Sequence, residues 1–151
     1  NRPPGLVPAK GAYLPVDLAR CARRYGIPFR LNPHFPMMNT RPMVRVAIGL
    51  SDTPDEQKRF IETVLHHVWA APSPLKTDEP DQVRAMCAEA GFDADRILEL
   101  AESEHTKSVL KANTDSAIER GAFGAPTFFV GSDMFFGHDR LDYVKEALLA
   151  A

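Results

Sequence analysis

The chain has 151 residues, of which 44% are hydrophobic, and its formal net charge is -2. This length and apolar content allow one compact core, or a core that carries an inserted subdomain. The near-neutral charge and the scattered arginines argue against a nucleic-acid partner or an anionic membrane surface. No apolar run approaches the roughly 18 to 20 residues that a membrane-spanning helix needs.

The two cysteines, Cys21 and Cys87, both fall within helical patterns and lack a Cys-x-x-Cys spacing. They indicate neither a redox motif nor a disulfide framework, and no signal-peptide pattern is present, so we expect a cytoplasmic location. The five histidines show no metal-ligand spacing, because the adjacent His66 and His67 would point about 100° apart on a helix. We therefore predict no metal site.

Residues 1–10 contain prolines at positions 3, 4 and 8 and a glycine at position 5, which predicts an irregular, partly extended loop. From Leu14 onward apolar residues recur at helical spacing, and Gly26 is a suitable C-terminal end for that helix. Residues 27–31 then alternate between apolar and polar side chains. This alternation predicts a short extended segment.

The middle of the chain predicts a series of helices. Thr53-Pro54-Asp55-Glu56 carries the clearest start signal, with a capping threonine, a proline at the first helical position and a capping-box glutamate. Further start signals stand at Asp78, Asp93 and Thr106, and glycines at positions 91 and 121 follow as end signals. We predict a helical insertion over residues 34–118.

Residues 121–131 read Gly-Ala-Phe-Gly-Ala-Pro-Thr-Phe-Phe-Val-Gly and end in a run of aromatic and β-branched side chains. Met134-Phe135-Phe136 and then Gly137-His138-Asp139-Arg140 follow, an order that predicts a β-hairpin and a helix. The first strand, residues 127–130, is apolar at almost every position, which is typical of a strand buried on both faces. Local sequence leaves the Ala125–Pro126 peptide bond open, because most bonds of this type are trans.

These motifs resemble the C-terminal half of a thioredoxin-like domain, in which a cis-proline at the start of a strand faces the active site. Residues 121–130 together with residues 135–141 are similar to the signature of the kappa-class glutathione transferases and of the bacterial 2-hydroxychromene-2-carboxylate isomerases. The proline-rich motif in residues 1–13 resembles the same families. The resemblance implies an α/β, thioredoxin-like fold, contributed by residues 1–33 and 119–151, around the helical insertion.

In these families a strand-helix-strand unit precedes the position of residue 1. Such a unit takes about 30 residues or more, and this chain begins without methionine at Asn1, so we expect an N-terminal segment to be missing. A hairpin with one helix is also marginal as a sheet, since about three strands are normally needed. The family's thiol-activating serine lies in that segment, so no catalytic residue is assigned here, and catalysis by this chain alone stays open.

The resemblance implies glutathione as cofactor and gives its binding residues. Ala125 would pair through its backbone with the cysteinyl part of glutathione, Pro126 would enforce the geometry, and Asp139 would receive the γ-glutamyl ammonium. Asn1 and Lys10 match ligand-binding positions of the proline-rich motif. From local chemistry alone, the ordinary interpretation comes first: Asn1 is a chain end, Lys10 a solvated surface charge and Asp139 a common acid at a helix start.

The activity implied is that of a glutathione-dependent cis-trans isomerase of the 2-hydroxychromene-2-carboxylate type, in bacterial catabolism of naphthalene-like aromatic compounds. Its substrate is a small aromatic molecule, to which the glutathione thiolate adds before bond rotation and thiolate loss. A kappa-type glutathione transferase is one alternative, and a thiol-disulfide oxidoreductase with a preceding Cys-x-x-Cys is another. A non-catalytic binding protein is the third. The resemblance also implies a homodimer.

Overall fold

The computed structural model describes residues 7–150, and the chain divides after Lys107 into two compact units. None of the helices in these residues is long and apolar enough to cross a bilayer. The elements, in chain order, are α1 Pro8–Tyr25, α2 Arg41–Gly49, α3 Pro54–Trp69, α4 Pro80–Ala90, α5 Ala94–Glu102, α6 Glu104–Glu119, β1 Thr127–Val130, β2 Asp133–Phe136, a 3-10 helix His138–Arg140 and α7 Leu141–Ala150.

Helix α1 begins earlier than the sequence pattern predicts. The expected loop over residues 1–10 is wrong from Pro8 onward, because Pro8 occupies the start of the helix, where the N–H that proline lacks is not needed. The predicted end is confirmed: Gly26 takes the left-handed conformation with φ 64°. Its N–H and that of Ile27 close the last turn on carbonyl oxygens of α1.

Helices α2 to α5 of the first unit enclose its hydrophobic core. Helices α2 and α5 approach closely at Gly49, where an added Cβ would lie 2.7 Å from Leu100 Cδ2. The rings of Phe60 and Phe92 meet edge to face at 5.6 Å between centroids. The buried members of this core are Met43, Val46, Leu50, Phe60, Val68, Leu75, Val83, Met86, Cys87, Phe92, Ile97 and Ala101.

Several predicted helix ends are confirmed by their caps. Asp93 Oδ1 accepts hydrogen bonds from the N–H groups of Asp95 and Arg96 at 3.1 and 3.2 Å, and Gly91 ends α4 at φ 71°. Thr53 precedes α3 as predicted, but its hydroxyl donates to a side-chain oxygen of Glu56 at 3.2 Å. The capping-box pair is thus joined through its side chains.

The segment between α1 and α2 is fastened to the first unit by one buried side chain. Asn32 is 1% exposed, and its Nδ2 donates to the carbonyl oxygens of Val68 at 3.0 Å and Leu75 at 2.9 Å. Its Oδ1 accepts from the N–H of His34 at 2.9 Å. Residues 27–31, for which an extended segment is predicted, belong to no strand. They form a loop that is held by the backbone bond from the Arg30 N–H to the Trp69 carbonyl oxygen and by the side-chain bonds of Asn32.

The second unit contains the predicted hairpin and helix. Strands β1 and β2 are antiparallel, with Thr127 opposite Phe136 and Val130 opposite Asp133, and α7 lies against β1. All four residues of β1 are half-buried, less than the apolar pattern predicts. Within residues 7–150, β2 is the only strand that pairs with β1, so part of its surface keeps contact with solvent.

Candidate functional site

The Ala125–Pro126 peptide bond, directly before β1, is cis, the geometry that the thioredoxin-like resemblance implies. The backbone on both sides of it is fixed by hydrogen bonds. The N–H of Gly137 donates to the carbonyl oxygen of Pro126 at 3.0 Å, and the hydroxyl of Thr127 donates to the carbonyl oxygen of Gly124 at 2.6 Å. The start of β1 is therefore joined to the residue that follows β2.

Ala125 presents free backbone groups at this position. The residue is exposed, and among residues 7–150 no hydrogen-bond partner is found for its N–H or its C=O. Unpaired backbone groups of this kind favour pairing with an extended, peptide-like ligand, which adds to the edge as a short strand would. The ligand-binding role that the family resemblance implies for Ala125 stays a prediction.

The Asp139 carboxylate lies just beyond the second strand, in the 3-10 helix. Gly137 has φ 105°, and an added Cβ there would lie 2.5 Å from Asp139 Oδ1, so only glycine lets the carboxylate fold back over this turn. Asp139 Oδ2 accepts from Arg140 Nη1 at 2.7 Å, and the Asp139 side chain is 62% exposed. The carboxylate is therefore accessible to a cationic group of a ligand.

Ala125, Pro126 and Asp139 all belong to the second unit, where the bond from Gly137 to Pro126 connects their segments. Lys10 belongs to the first unit. It is exposed in the first turn of α1, beside a groove of about 360 Å³. That turn contains no acidic residue, so the free N–H groups of the helix start and the Lys10 ammonium together favour an anion. Asn1 lies outside the described residues.

The segment that leads to Ala125 lies along one face of the hairpin, a feature that sequence analysis missed. Cross-strand neighbours share a face, so the register places Phe129 and Phe136 on the same side. The Arg120 guanidinium stands 3.6 Å from the centroid of the Phe129 ring, and the rings of Phe123 and Phe136 are 4.6 Å apart. β2 reads Asp-Met-Phe-Phe, and this run has no apolar-polar alternation that would mark the face from sequence.

The first unit contains an apolar groove of about 620 Å³ between α1, the loop after it and the end of α3. The Trp69 ring lies 6.0 Å from Phe29 and 5.8 Å from Phe35 along its wall. Of the described residues that line it, only His66 is titratable, and among residues 7–150 no group of three or more potential metal ligands is found. This groove favours apolar contact and offers little to orient a polar ligand.

Comparison with known proteins matches residues 1–149 to the DSBA-like thioredoxin domain family. The 2-hydroxychromene-2-carboxylate isomerase of Sphingobium xenophagum is 29% identical over 136 residues, which cover 89% of this chain and 66% of that protein. Glutathione S-transferase kappa 1 of Homo sapiens is 29% identical, covering 98% and 70%. Glutathione s-transferase kappa 2 of Caenorhabditis elegans is 30% identical, covering 96% and 70%.

A solved structure of a 2-hydroxychromene-2-carboxylate isomerase superposes with a TM-score of 0.81 at 27% identity, over 99% of this chain and 71% of that one. The chain spans about two thirds of the length of its curated relatives: 66% of the Sphingobium xenophagum isomerase and 70% of each of the two kappa transferases. The thioredoxin-like fold is thus confirmed. The chain belongs to the DSBA-like thioredoxin domain family, together with 2-hydroxychromene-2-carboxylate isomerases and kappa-class glutathione transferases.

Proposed function

We propose that this protein is a glutathione-dependent isomerase that acts on a small aromatic substrate, in the manner of 2-hydroxychromene-2-carboxylate isomerases. One observation carries the proposal. The exposed, unpaired backbone of Ala125 and the exposed carboxylate of Asp139 belong to segments that a backbone hydrogen bond joins. A tripeptide-like thiol with a free ammonium group suits this pair of features. We also propose that the protein is a cytoplasmic homodimer.

The residues present fit glutathione by their chemistry. The N–H and C=O of Ala125 would pair with the cysteinyl residue, and Asp139 would accept the γ-glutamyl ammonium, sharing its charge with Arg140. Lys10 would meet a carboxylate as a point charge, and Asn1 remains a proposed amide contact. Bound glutathione would supply the thiol nucleophile, so no protein cysteine is required for that role. The residue that activates this thiol is not assigned.

A kappa-type glutathione transferase is the second candidate. Its support is the match to kappa-class relatives, which covers 98% and 96% of this chain, more than the 89% of the first isomerase. The same binding residues would serve both activities, because the difference lies in the second substrate. Isomerisation of 2-hydroxychromene-2-carboxylate, compared with conjugation of 1-chloro-2,4-dinitrobenzene, separates the two.

Titration with glutathione in a calorimeter tests the binding site. We expect saturable binding that weakens by about 10-fold or more in Asp139→Asn, the loss of one charge-assisted hydrogen bond. Asp142→Asn is the matched control, because Asp142 is an exposed acid in the first turn of α7 and should leave affinity unchanged. Glutathione that lacks its α-amino group should bind wild type and Asp139→Asn equally.

The role of Lys10 needs its own comparison. Lys10→Ala should weaken glutathione binding several-fold at low salt and less at high salt, as expected for an exposed charge. Lys145→Ala, a change at another exposed lysine, should have no effect. Absence of saturable binding by the wild-type protein would contradict the proposal, as would equal affinities of the Asp139→Asn and wild-type proteins.

A further inference from the structure

The side chain of Arg120 bridges the end of α6 and the hairpin. Arg120 is the first residue after α6, and its guanidinium stands 3.6 Å from the centroid of the Phe129 ring in β1. Its Nη2 also donates to the carbonyl oxygen of Gly131, in the turn between the strands, at 3.2 Å. A planar guanidinium can stack on a ring and donate at its edge at the same time, which a lysine ammonium cannot. The two contacts together therefore require an arginine.

The chain between Arg120 and Ala125 is short and is held at both ends. At the α6 end, the N–H groups of the two residues after Arg120 donate to carbonyl oxygens of the last helical turn, each at 2.9 Å. At the other end, the hydroxyl of Thr127 donates to the carbonyl oxygen of Gly124. Five residue steps separate Arg120 from Ala125, at most about 18 Å of extended chain. A displacement of the end of α6 relative to the hairpin therefore reaches the Ala125 backbone.

Arg120 closes this segment into a ring of contacts. The chain leaves Arg120, passes Ala125, enters β1 and meets the Arg120 guanidinium again at Phe129. The helix that packs against β1 is α7, whereas α6 is joined to the hairpin through the Arg120 side chain. Removal of the guanidinium would open the ring at this point, so the end of α6 and the start of β1 would move more independently.

We infer that Arg120 is a positioning residue, which acts through Phe129 and Gly131 to hold the N–H and C=O of Ala125 ready for a bound thiol peptide. The inference rests on the proposed function, which gives Ala125 its ligand. Arg120 does not have to touch that ligand, because its guanidinium is engaged near the turn, at the end of the hairpin opposite to Ala125. Its contribution to affinity is preorganisation, since a backbone edge that is already fixed loses less conformational entropy on binding.

NMR spectroscopy of the ligand-free protein provides the first test. Arg120→Met should shift the amide resonance of Ala125 and lower the order parameter of its N–H, because the segment gains motion. Arg120→Lys keeps the charge but loses the planar fork, so its effect should be intermediate. Lys111→Met is the matched control at an exposed basic residue of α6, and it should leave the Ala125 amide unchanged. An Ala125 amide that is also unchanged in Arg120→Met would overturn the inference.

Calorimetric titration with glutathione provides the second test. Arg120→Met should weaken binding about fivefold, the scale of one lost element of preorganisation. Phe129→Leu removes the other side of the same contact and should have a similar effect. Because the two changes break one contact, the double variant should also lose about fivefold, and not the roughly 25-fold that independent effects would give.

Two results of the titration would overturn the inference. One is that the effects of Arg120→Met and Phe129→Leu multiply. The other is a loss of affinity in Arg120→Met that vanishes at high salt while the Ala125 amide is unchanged, which would make Arg120 a direct charge contact. If wild type binds no glutathione, the proposed function fails, whereas the NMR comparison still decides whether Arg120 positions Ala125.

Discussion

The ring of Phe136 leaves no space for a side chain at Gly124: an added Cβ would stand 2.8 Å from Phe136 Cε2 and 3.3 Å from Cζ. The constraint is steric, because Gly124 does not adopt the left-handed conformation of the positive-φ glycines. Phe136 is 42% exposed, so its ring can turn outward. Such a turn would separate it from Phe123 and uncover the backbone before Ala125.

We therefore predict that Gly124→Ala destabilises the hairpin by about 1 kcal/mol, at the lower end of the cost of overpacking. In a Phe136→Ala background the same change should cost almost nothing, because the clashing ring is absent. The two variants and their double mutant form a cycle, read by hydrogen exchange of the β1 and β2 amides. Equal costs of Gly124→Ala in both backgrounds would show that the ring is not the constraint.

We predict that replacing Asn32 lowers the stability of the first unit by more than Gly124→Ala lowers that of the hairpin. Its amide donates to the carbonyl oxygens of Val68 and Leu75, and at 1% exposure no water replaces it readily. Asn32→Leu should lower the free energy of unfolding by about 2 to 4 kcal/mol, because two buried acceptors lose their donor. Urea unfolding measures this change. Asn113→Leu, at an exposed position of α6, should alter the free energy by less than about 0.5 kcal/mol.

Much of the local structure could be predicted, because its signals lie within a few residues. Asp93 caps the helix that it precedes, and Gly26 and Gly91 end their helices in the left-handed conformation. The apolar run after Pro126 forms the first strand of the hairpin, as its composition predicts. Asn32 could not be identified as a buried residue. Its partners lie 36 and 43 residues away in the chain, and a polar side chain between prolines and apolar residues resembles any surface loop.

The candidate site was predicted from motifs, not from local physics. Ala125 and Asp139 are ordinary residues on their own, and only resemblance assigns them a ligand. Phe123 and Arg120 were missed because ring and guanidinium contacts depend on how the preceding segment folds onto β1 and β2. The cis bond between Phe35 and Pro36 was missed too, since most such bonds are trans.

The ion pair between Lys76 and Glu79 gives stability a defined pH dependence. The pKa of the Glu79 carboxyl is lowered from 4.5, first by the hydrogen bond from Lys76 and then by its charge. Its stabilising contribution is present above 4.5 and is lost as pH falls through the lowered pKa. In thermal unfolding, Glu79→Gln should melt at a slightly lower temperature than wild type at pH 7. This deficit in melting temperature should disappear in strong acid. A deficit independent of pH would indicate lost packing instead.

The same pair acts in the opposite direction at alkaline pH. The pKa of the Lys76 ammonium is raised above 10.5 by the hydrogen bond to Glu79 and then by the charge of that carboxylate. Its contribution is therefore complete below 10.5 and is lost as pH rises through the raised pKa. Lys76→Met should consequently be less stable than wild type near neutral pH, and this difference in stability should disappear at both extremes of pH. Glu62→Gln serves as the control. Glu62 pairs with Lys58 at the longer distance of 4.0 Å, so its removal should change stability less at every pH.

The two cysteines should differ sharply in reactivity. Cys87 is fully buried in the first unit, and burial raises the pKa of its thiol, so little of the reactive thiolate is present or accessible. Cys21 is half-buried on α1. Iodoacetamide should therefore modify Cys21 in the native protein and both thiols in denaturant, as mass spectrometry of peptides will show. Cys21→Ser should abolish native labelling. Rapid native labelling of Cys87 would mean that the core formed by α2 to α5 opens readily.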